Sequence, residues 1–173
     1  MAGYKIAILI SGRGSNMAAL IEACQTEGFP AKVALVLSNR PNAPGLTLAQ
    51  AAKIPTRIIQ HGEFESREAF DAVMTEALTD AGVRLICLAG FMRLLSAEFC
   101  QHWRDSIINI HPSLLPAFKG LRVHERMLDA GVQIAGCTVH YVRPAMDEGP
   151  ILVQAAVPIA ANDTPDSLAA RIL

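Results

Sequence analysis

The stretch Tyr4-Lys5-Ile6-Ala7-Ile8-Leu9-Ile10-Ser11-Gly12-Arg13-Gly14-Ser15-Asn16 passes from an apolar run of strand length, through a glycine loop, into a helical pattern. Residues 4–10 read as a buried strand. From residue 16 the spacing changes, and Met17, Leu20, Ile21 and Cys24 share one face of a helix over 16–27. The same alternation continues outward. Residues 32–37 (Lys-Val-Ala-Leu-Val-Leu) read as a second strand, 45–53 as a helix and 56–59 as a short strand. A longer helix over 65–81 turns Phe70, Val73, Met74, Ala77 and Leu78 inward and stops at Gly82. Residues 84–89 are nearly all apolar, as a parallel strand covered on both faces must be. This rhythm predicts an α/β fold with an open, doubly wound, mostly parallel sheet of Rossmann-like type.

Beyond residue 100 the texture changes. A strand over 106–110 enters the proline-rich loop His111-Pro112-Ser113-Leu114-Leu115-Pro116, a helix follows over 123–130, and two strands come next, over 136–142 and 151–157. Asn162-Asp163-Thr164-Pro165 reads as a helix start, with the proline early in the helix. The 173 residues fit one domain.

Hydrophobic residues make up 51% of the chain and charged ones 18%, enough apolar surface for a core. A net charge of -1 offers no strong field to nucleic acid or to an anionic membrane, so neither is expected as a partner. No apolar run approaches the ~18 residues that span a bilayer, and no signal peptide is read at the start. Cys24, Cys87, Cys100 and Cys137 form no C-x-x-C pair. The apolar or small neighbours of Cys24, Cys87 and Cys137 suggest buried thiols, and a reducing, cytoplasmic location is the expectation. Monomer and homodimer both stay open.

Ser11-Gly12-Arg13-Gly14-Ser15-Asn16 joins strand to helix. Glycines let backbone N–H groups face outward where the helix end adds partial positive charge, and Ser15 and Asn16 bring side-chain donors, which together suit a phosphate. A tight turn capped by Ser15 or Asn16 is the alternative. A dinucleotide loop fits poorly, because Met17 stands where G-x-G-x-x-G wants its third glycine. The second strand also ends in Ser38-Asn39-Arg40, without the acidic residue that holds a ribose. No Gly-Lys-Ser/Thr follows the glycines, which excludes the nucleotide P-loop. A monophosphate fits better.

Asn109-Ile110-His111-Pro112 places an amide and an imidazole two residues apart, on one side of a strand end, where open α/β sheets gather ligands. That pair suits acyl or formyl transfer: Asn109 stabilises an oxyanion and His111 donates a hydrogen bond or moves a proton. A histidine that merely fixes the loop is the alternative. In Met146-Asp147-Glu148-Gly149-Pro150 the aspartate reads as a turn residue, unless folding brings its carboxylate to His111.

Four stretches resemble one family, in order and approximate spacing: Ile10-Ser11-Gly12-Arg13-Gly14-Ser15-Asn16, Leu88-Ala89-Gly90-Phe91-Met92-Arg93, Asn109 through Pro116, and Asp147-x-Gly149-Pro150. Together they are similar to the glycinamide ribonucleotide formyltransferase family, over essentially the whole chain. The resemblance implies that Gly14, Ser15 and Asn16 hold a ribonucleotide phosphate. Arg67, with Met92, Arg93, Leu94 and Leu95, would contact the folate, and so would Arg143-Pro144-Ala145-Met146-Asp147. Asn109 and His111 would be the catalytic pair, Asn109 also touching folate, with Asp147 as the carboxylate that keeps the histidine charged. The implied cosubstrate is 10-formyltetrahydrofolate, whose formyl group passes to the amine of glycinamide ribonucleotide by direct attack. No metal is implied, and His61, His102, His124 and His140 lack zinc-ligand spacing. The family pattern continues past Leu173 with a helix carrying a Glu-His pair, so residues 1–173 are expected to be a formyltransferase domain lacking that helix and the segments after it. The rival readings are a formyltetrahydrofolate hydrolase and a non-catalytic folate- or nucleotide-binding module. A methionyl-tRNA formyltransferase would carry an RNA-binding domain and more basic charge.

Overall fold

The computed structural model describes residues 3–173. In chain order the elements are β1 (Tyr4–Ile10), α1 (Ser15–Gln25), β2 (Ala31–Ser38), α2 (Pro44–Ala51), β3 (Thr56–Ile58), a 3-10 turn (His61–Glu63), α3 (Arg67–Asp80), β4 (Leu85–Leu88), α4 (Ala97–His102), β5 (Ile107–His111), α5 (Val123–Asp129), β6 (Ile134–Tyr141), β7 (Ile151–Pro158) and α6 (Pro165–Ile172). The strands form a seven-stranded sheet in the order β3-β2-β1-β4-β5-β6-β7. Two compact units divide the chain, one ending at Ile107 and the other running from Ile108 to Leu173.

In the first unit β1 runs parallel to β2 and β4, and β2 parallel to β3. The winding goes outward from β1 to β3 and then crosses back to β4, so the carboxyl ends of β1 and β4 flank a topological switch point, where ligands of open α/β sheets bind. Ile8, Leu9, Ile10, Leu37 and Ile86 are wholly buried in these strands, each contributing roughly 1.5–3 kcal/mol by leaving water. The mostly parallel sheet read from the apolar runs is therefore the observed one. In α3 the buried face is Phe70, Asp71, Met74, Ala77 and Leu78. Val73, expected inward, is half-buried. Asp71 goes inside because its Oδ2 accepts the Ser96 backbone N–H at 2.6 Å, fixing the chain where α4 starts. The six-residue α4 and the three-residue 3-10 turn leave no mark on the sequence pattern, because neither is long enough to display a period.

In the second unit β6 is antiparallel to both β5 and β7, which accounts for the change of texture after residue 100. Val123, Met127, Ala135 and Leu168 form its buried core. The helix start read at Asn162-Asp163-Thr164-Pro165 is the observed start of α6. Thr164 caps it, its hydroxyl accepting the Ser167 N–H at 3.2 Å while the Ser167 hydroxyl accepts the Thr164 N–H at 2.9 Å.

No disulfide joins the cysteines of the described residues; Cys87 and Cys100 are buried and Cys24 and Cys137 half-buried. Cys100, not Cys24 or Cys137, thus joins Cys87 inside. Burial pushes the Cys87 thiol up to about 12, so it carries no reactive thiolate. Among the described residues no helix is long and apolar enough to cross a membrane.

Candidate active site

Strand β5 extends one residue further than the sequence pattern predicts, so His111 is its last residue and not the first of the loop. Asn109 and His111 lie two apart on this strand and therefore face the same side. The antiparallel partner sets a third group beside them, because Asn109 pairs directly with His140 in the β5–β6 register, and His111 with Thr138. Thr138 is buried and ties down the chain leaving β5. Its hydroxyl donates to the Ser113 carbonyl at 2.7 Å and accepts the Leu115 N–H at 3.0 Å.

By spacing His140 is one dispersed histidine among several, and the structure sets it beside Asn109. Its Nδ1–H donates to the Tyr141 carbonyl at 2.9 Å, which leaves Nε2 with a lone pair facing the Asn109 amide nitrogen at 3.2 Å. Burial pushes this imidazole below its ordinary value, outweighing the Tyr141 hydrogen bond and the Asp147 charge, which act the other way. The neutral ring is thus an acceptor, and it orients the Asn109 amide so that the nitrogen is the end turned toward it. A period-two reading of β6 would have placed Thr138 and His140 on one face. Only the strand register tells which face that is.

Asp147 sits in the loop between β6 and β7 with a left-handed backbone, φ 55°, which aspartate adopts more readily than most residues. The turn closes because Gly149 lies against the end of β6, where a Cβ would stand 1.6 Å from the Tyr141 carbonyl oxygen, and because the Tyr141 N–H donates to the Pro150 carbonyl at 2.9 Å. The carboxylate is held by the Gly120 N–H, which donates to Oδ2 at 2.9 Å. Oδ2 lies 3.5 Å from His111 Nδ1, and Oδ1 lies 3.7 Å from His140 Nε2. All three side chains are at least nine-tenths buried. On its other side His111 places Nε2 3.0 Å from the Phe118 carbonyl. A carbonyl only accepts, so Nε2 carries a proton. Both ring nitrogens then face acceptors, an arrangement satisfied in full by the imidazolium. Folding therefore gathers Asn109, His111 and Asp147 into one cluster, with His140 as a fourth member.

Among the other residues of interest in this unit, Arg143 lies over the Tyr141 ring at 5.7 Å and donates to the Val142 carbonyl at 2.9 Å. Pro144, Ala145 and Met146 are exposed.

In the first unit, Gly14 precedes α1 at the N-cap position with φ 77° and no side-chain cap hydrogen bond, so neither Ser15 nor Asn16 closes the turn as a cap would. Gly14 cannot be larger, since a Cβ there would come within 2.9 Å of Gly45 Cα. Arg67 is exposed at the start of α3. Met92 and Leu94 are exposed, at 58% and 52%, and Arg93 is exposed too, whereas Leu95 is buried in the core. The Met92 N–H donates to the Ser11 hydroxyl at 2.8 Å, linking the chain after β4 to the start of the glycine loop. Among the described residues no group of three or more His, Cys, Asp or Glu is arranged to hold a metal ion.

Residues 4–173 match the formyl transferase family. A trifunctional purine biosynthetic protein adenosine-3 from Drosophila melanogaster is 52% identical over 170 residues; these are 97% of this chain but only 13% of that protein, so the chain spans a small part of such relatives. The phosphoribosylglycinamide formyltransferase of Escherichia coli (strain K12) is 41% identical over 167 residues, covering 96% of this chain and 79% of the relative. The crystal structure of the phosphoribosylglycinamide formyltransferase from Brucella melitensis superposes with a TM-score of 0.94 at 50% identity, covering 98% of this chain and 88% of that one. With a family match over nearly its whole length, a shared fold and neighbours of this kind, the chain belongs to the formyl transferase family.

Proposed function

We propose that this chain transfers the formyl group of 10-formyltetrahydrofolate to the amine of glycinamide ribonucleotide, a step of purine biosynthesis. The observation that carries the reading is the buried His111–Asp147 pair beside Asn109 at the carboxyl end of β5. The amine nitrogen bonds to the formyl carbon, and the carbonyl becomes a tetrahedral oxyanion. The Asn109 amide N–H not used by His140 and the His111 Nε2–H, now accepted by Phe118, are the donors for which that oxyanion competes. The Asp147 carboxylate, 3.5 Å from His111 Nδ1, favours positive charge on the ring as the oxyanion forms and helps move the attacking amine's proton toward N10 of the folate. The C–N10 bond then breaks, and the products are the formamide and tetrahydrofolate. No covalent enzyme intermediate forms.

The start of α1, without a side-chain cap and with Ser15 and Asn16 in its first turn, suits the substrate phosphate. In the first unit, exposed Met92, Arg93, Leu94 and Arg67, with buried Leu95, suit contacts to the formylfolate; in the second unit, Asn109 and the segment Arg143-Pro144-Ala145-Met146-Asp147 suit the same ligand. A formyltransferase domain working on small molecules in the cytoplasm, as monomer or homodimer, is the setting that fits.

The test follows the absorbance change of 10-formyltetrahydrofolate with and without glycinamide ribonucleotide. Turnover that requires the nucleotide is expected. Turnover that ignores it would make the chain a hydrolase, and none in either case would make it a binding module. His140→Ala should lower kcat about tenfold with KM for the folate nearly unchanged, because the Asn109 amide loses the acceptor that orients it. Steady-state kinetics check this, and an unchanged kcat would remove His140 from the site.

A further inference from the structure

Ser38-Asn39-Arg40 closes β2 where a dinucleotide-binding sheet would carry its ribose-binding acid, and the proposed reaction gives Asn39 no task. Asn39 is nonetheless 2% exposed and Ser11 is 4% exposed. The directions of the hydrogen bonds around them are fixed by their ends. The Met92 backbone N–H can only donate, so at 2.8 Å the Ser11 hydroxyl accepts it. The Ser11 proton is then left for Asn39 Oδ1, at 2.6 Å. That assigns the amide, and Asn39 Nδ2 donates to His61 Nδ1 at 3.2 Å. His61 opens the 3-10 turn after β3 and packs edge-on against Phe70. One chain of hydrogen bonds thus joins the segments beyond the carboxyl ends of β4, β1, β2 and β3, across the switch point. The Ser11 N–H donates to the Gly90 carbonyl at 3.1 Å, a second link between the same two loops.

We propose that Asn39 is a positioning residue for the transfer reaction, holding the glycine loop and the segment around Met92 in one arrangement through the Ser11 hydroxyl. This rests on the reading of those two loops as the holders of nucleotide phosphate and formylfolate. A misplacement of about 1 Å between two bound reactants costs up to about a hundredfold in rate while leaving each of them bound. The signature of Asn39 is therefore in kcat, not in KM.

The experiment is a double-mutant cycle on Ser11→Ala and Asn39→Ala, with kcat and both KM values expressed per folded enzyme. Each single variant is expected to lower kcat about tenfold or more with each KM within about threefold. The double variant is expected to be no worse than the worse single one, since both changes break one chain. Ser11→Thr, which keeps the hydroxyl, restores most of the rate. Losses that multiply, or a fall in unfolding temperature with kcat per folded enzyme intact, would overturn the proposal. Hydrogen exchange gives a readout independent of the reaction. In Asn39→Ala the Met92 amide should exchange faster while the β1 amides keep their protection. If the wild-type protein shows no nucleotide-dependent turnover, the proposed transfer reaction fails, and unchanged Met92 exchange would then sink the coupling as well.

Discussion

Asp147→Asn is expected to lower kcat of the proposed formyl transfer by about two to four orders of magnitude, with KM for the formylfolate nearly unchanged. The substitution keeps the size of the side chain and an oxygen for the Gly120 N–H, so the loop stays in place. What it removes is the negative charge 3.5 Å from His111 Nδ1. At an effective dielectric constant of about 20, a unit pair at such a distance interacts by on the order of 4 kcal/mol. With a tenfold rate change for each ~1.4 kcal/mol, that reaches about three orders of magnitude if the whole of it is felt at the transition state. The expected split also separates charge from packing: a packing defect would lower the unfolding temperature together with folate affinity. A near-normal kcat in Asp147→Asn would show that the His111–Asp147 pair plays no part in catalysis.

Gly149→Ala should be the most damaging small substitution in the second unit. The added Cβ would stand 1.6 Å from the Tyr141 carbonyl oxygen and 2.7 Å from its carbon, and both are backbone atoms that no rotamer change can move aside. The end of β6 and the turn of residues 143–150 have to separate, which breaks the bond from the Tyr141 N–H to the Pro150 carbonyl and moves Asp147 off the two imidazoles. Overpacking of this kind costs about 3 kcal/mol or more when the backbone must yield. Urea unfolding should show a clear fall in midpoint, and activity should drop at least as far as in Asp147→Asn. Gly62→Ala, where a Cβ would meet nothing within 4 Å, is the control and should leave both nearly unchanged. An active, stable Gly149→Ala protein would mean that Asp147 is held by something other than this turn.

The parallel part of the fold was legible because burial on both faces leaves runs such as Ile6 to Ile10 without a polar break, and because α1 and α3 are long enough to show a period. Asn109 and His111 could be paired for the same local reason, being two apart on a strand. By spacing Asp147 reads only as a turn former, since its meeting with His111 spans a helix and a strand; its role was carried by the family resemblance alone. His140 escaped altogether. It faces Asn109 through an antiparallel register that brings together residues 31 apart, and spacing in the sequence carries no trace of it. Asn39 and Ser11 escaped for a related reason: two small polar residues at separate strand ends become a network only when the sheet sets those ends side by side.

The direct pairing of Asn109 with His140 and of His111 with Thr138 has a consequence for how this protein can be altered. These geometries are written into the backbone ladder of two strands and not into the long excursion that joins them. Insertions at the exposed turn around Gly131, between α5 and β6, should therefore be absorbed as local bulk. Deleting one residue within β6 upstream of His140 is another matter, because side chains alternate with a period of two. Such a slip would turn the imidazole to the opposite face of the sheet and leave Asn109 opposite a different side chain. Indels in the two kinds of segment sort into harmless and fatal by a parity rule, which a library of insertions around Gly131 and of one- and two-codon deletions within β6 would read out directly.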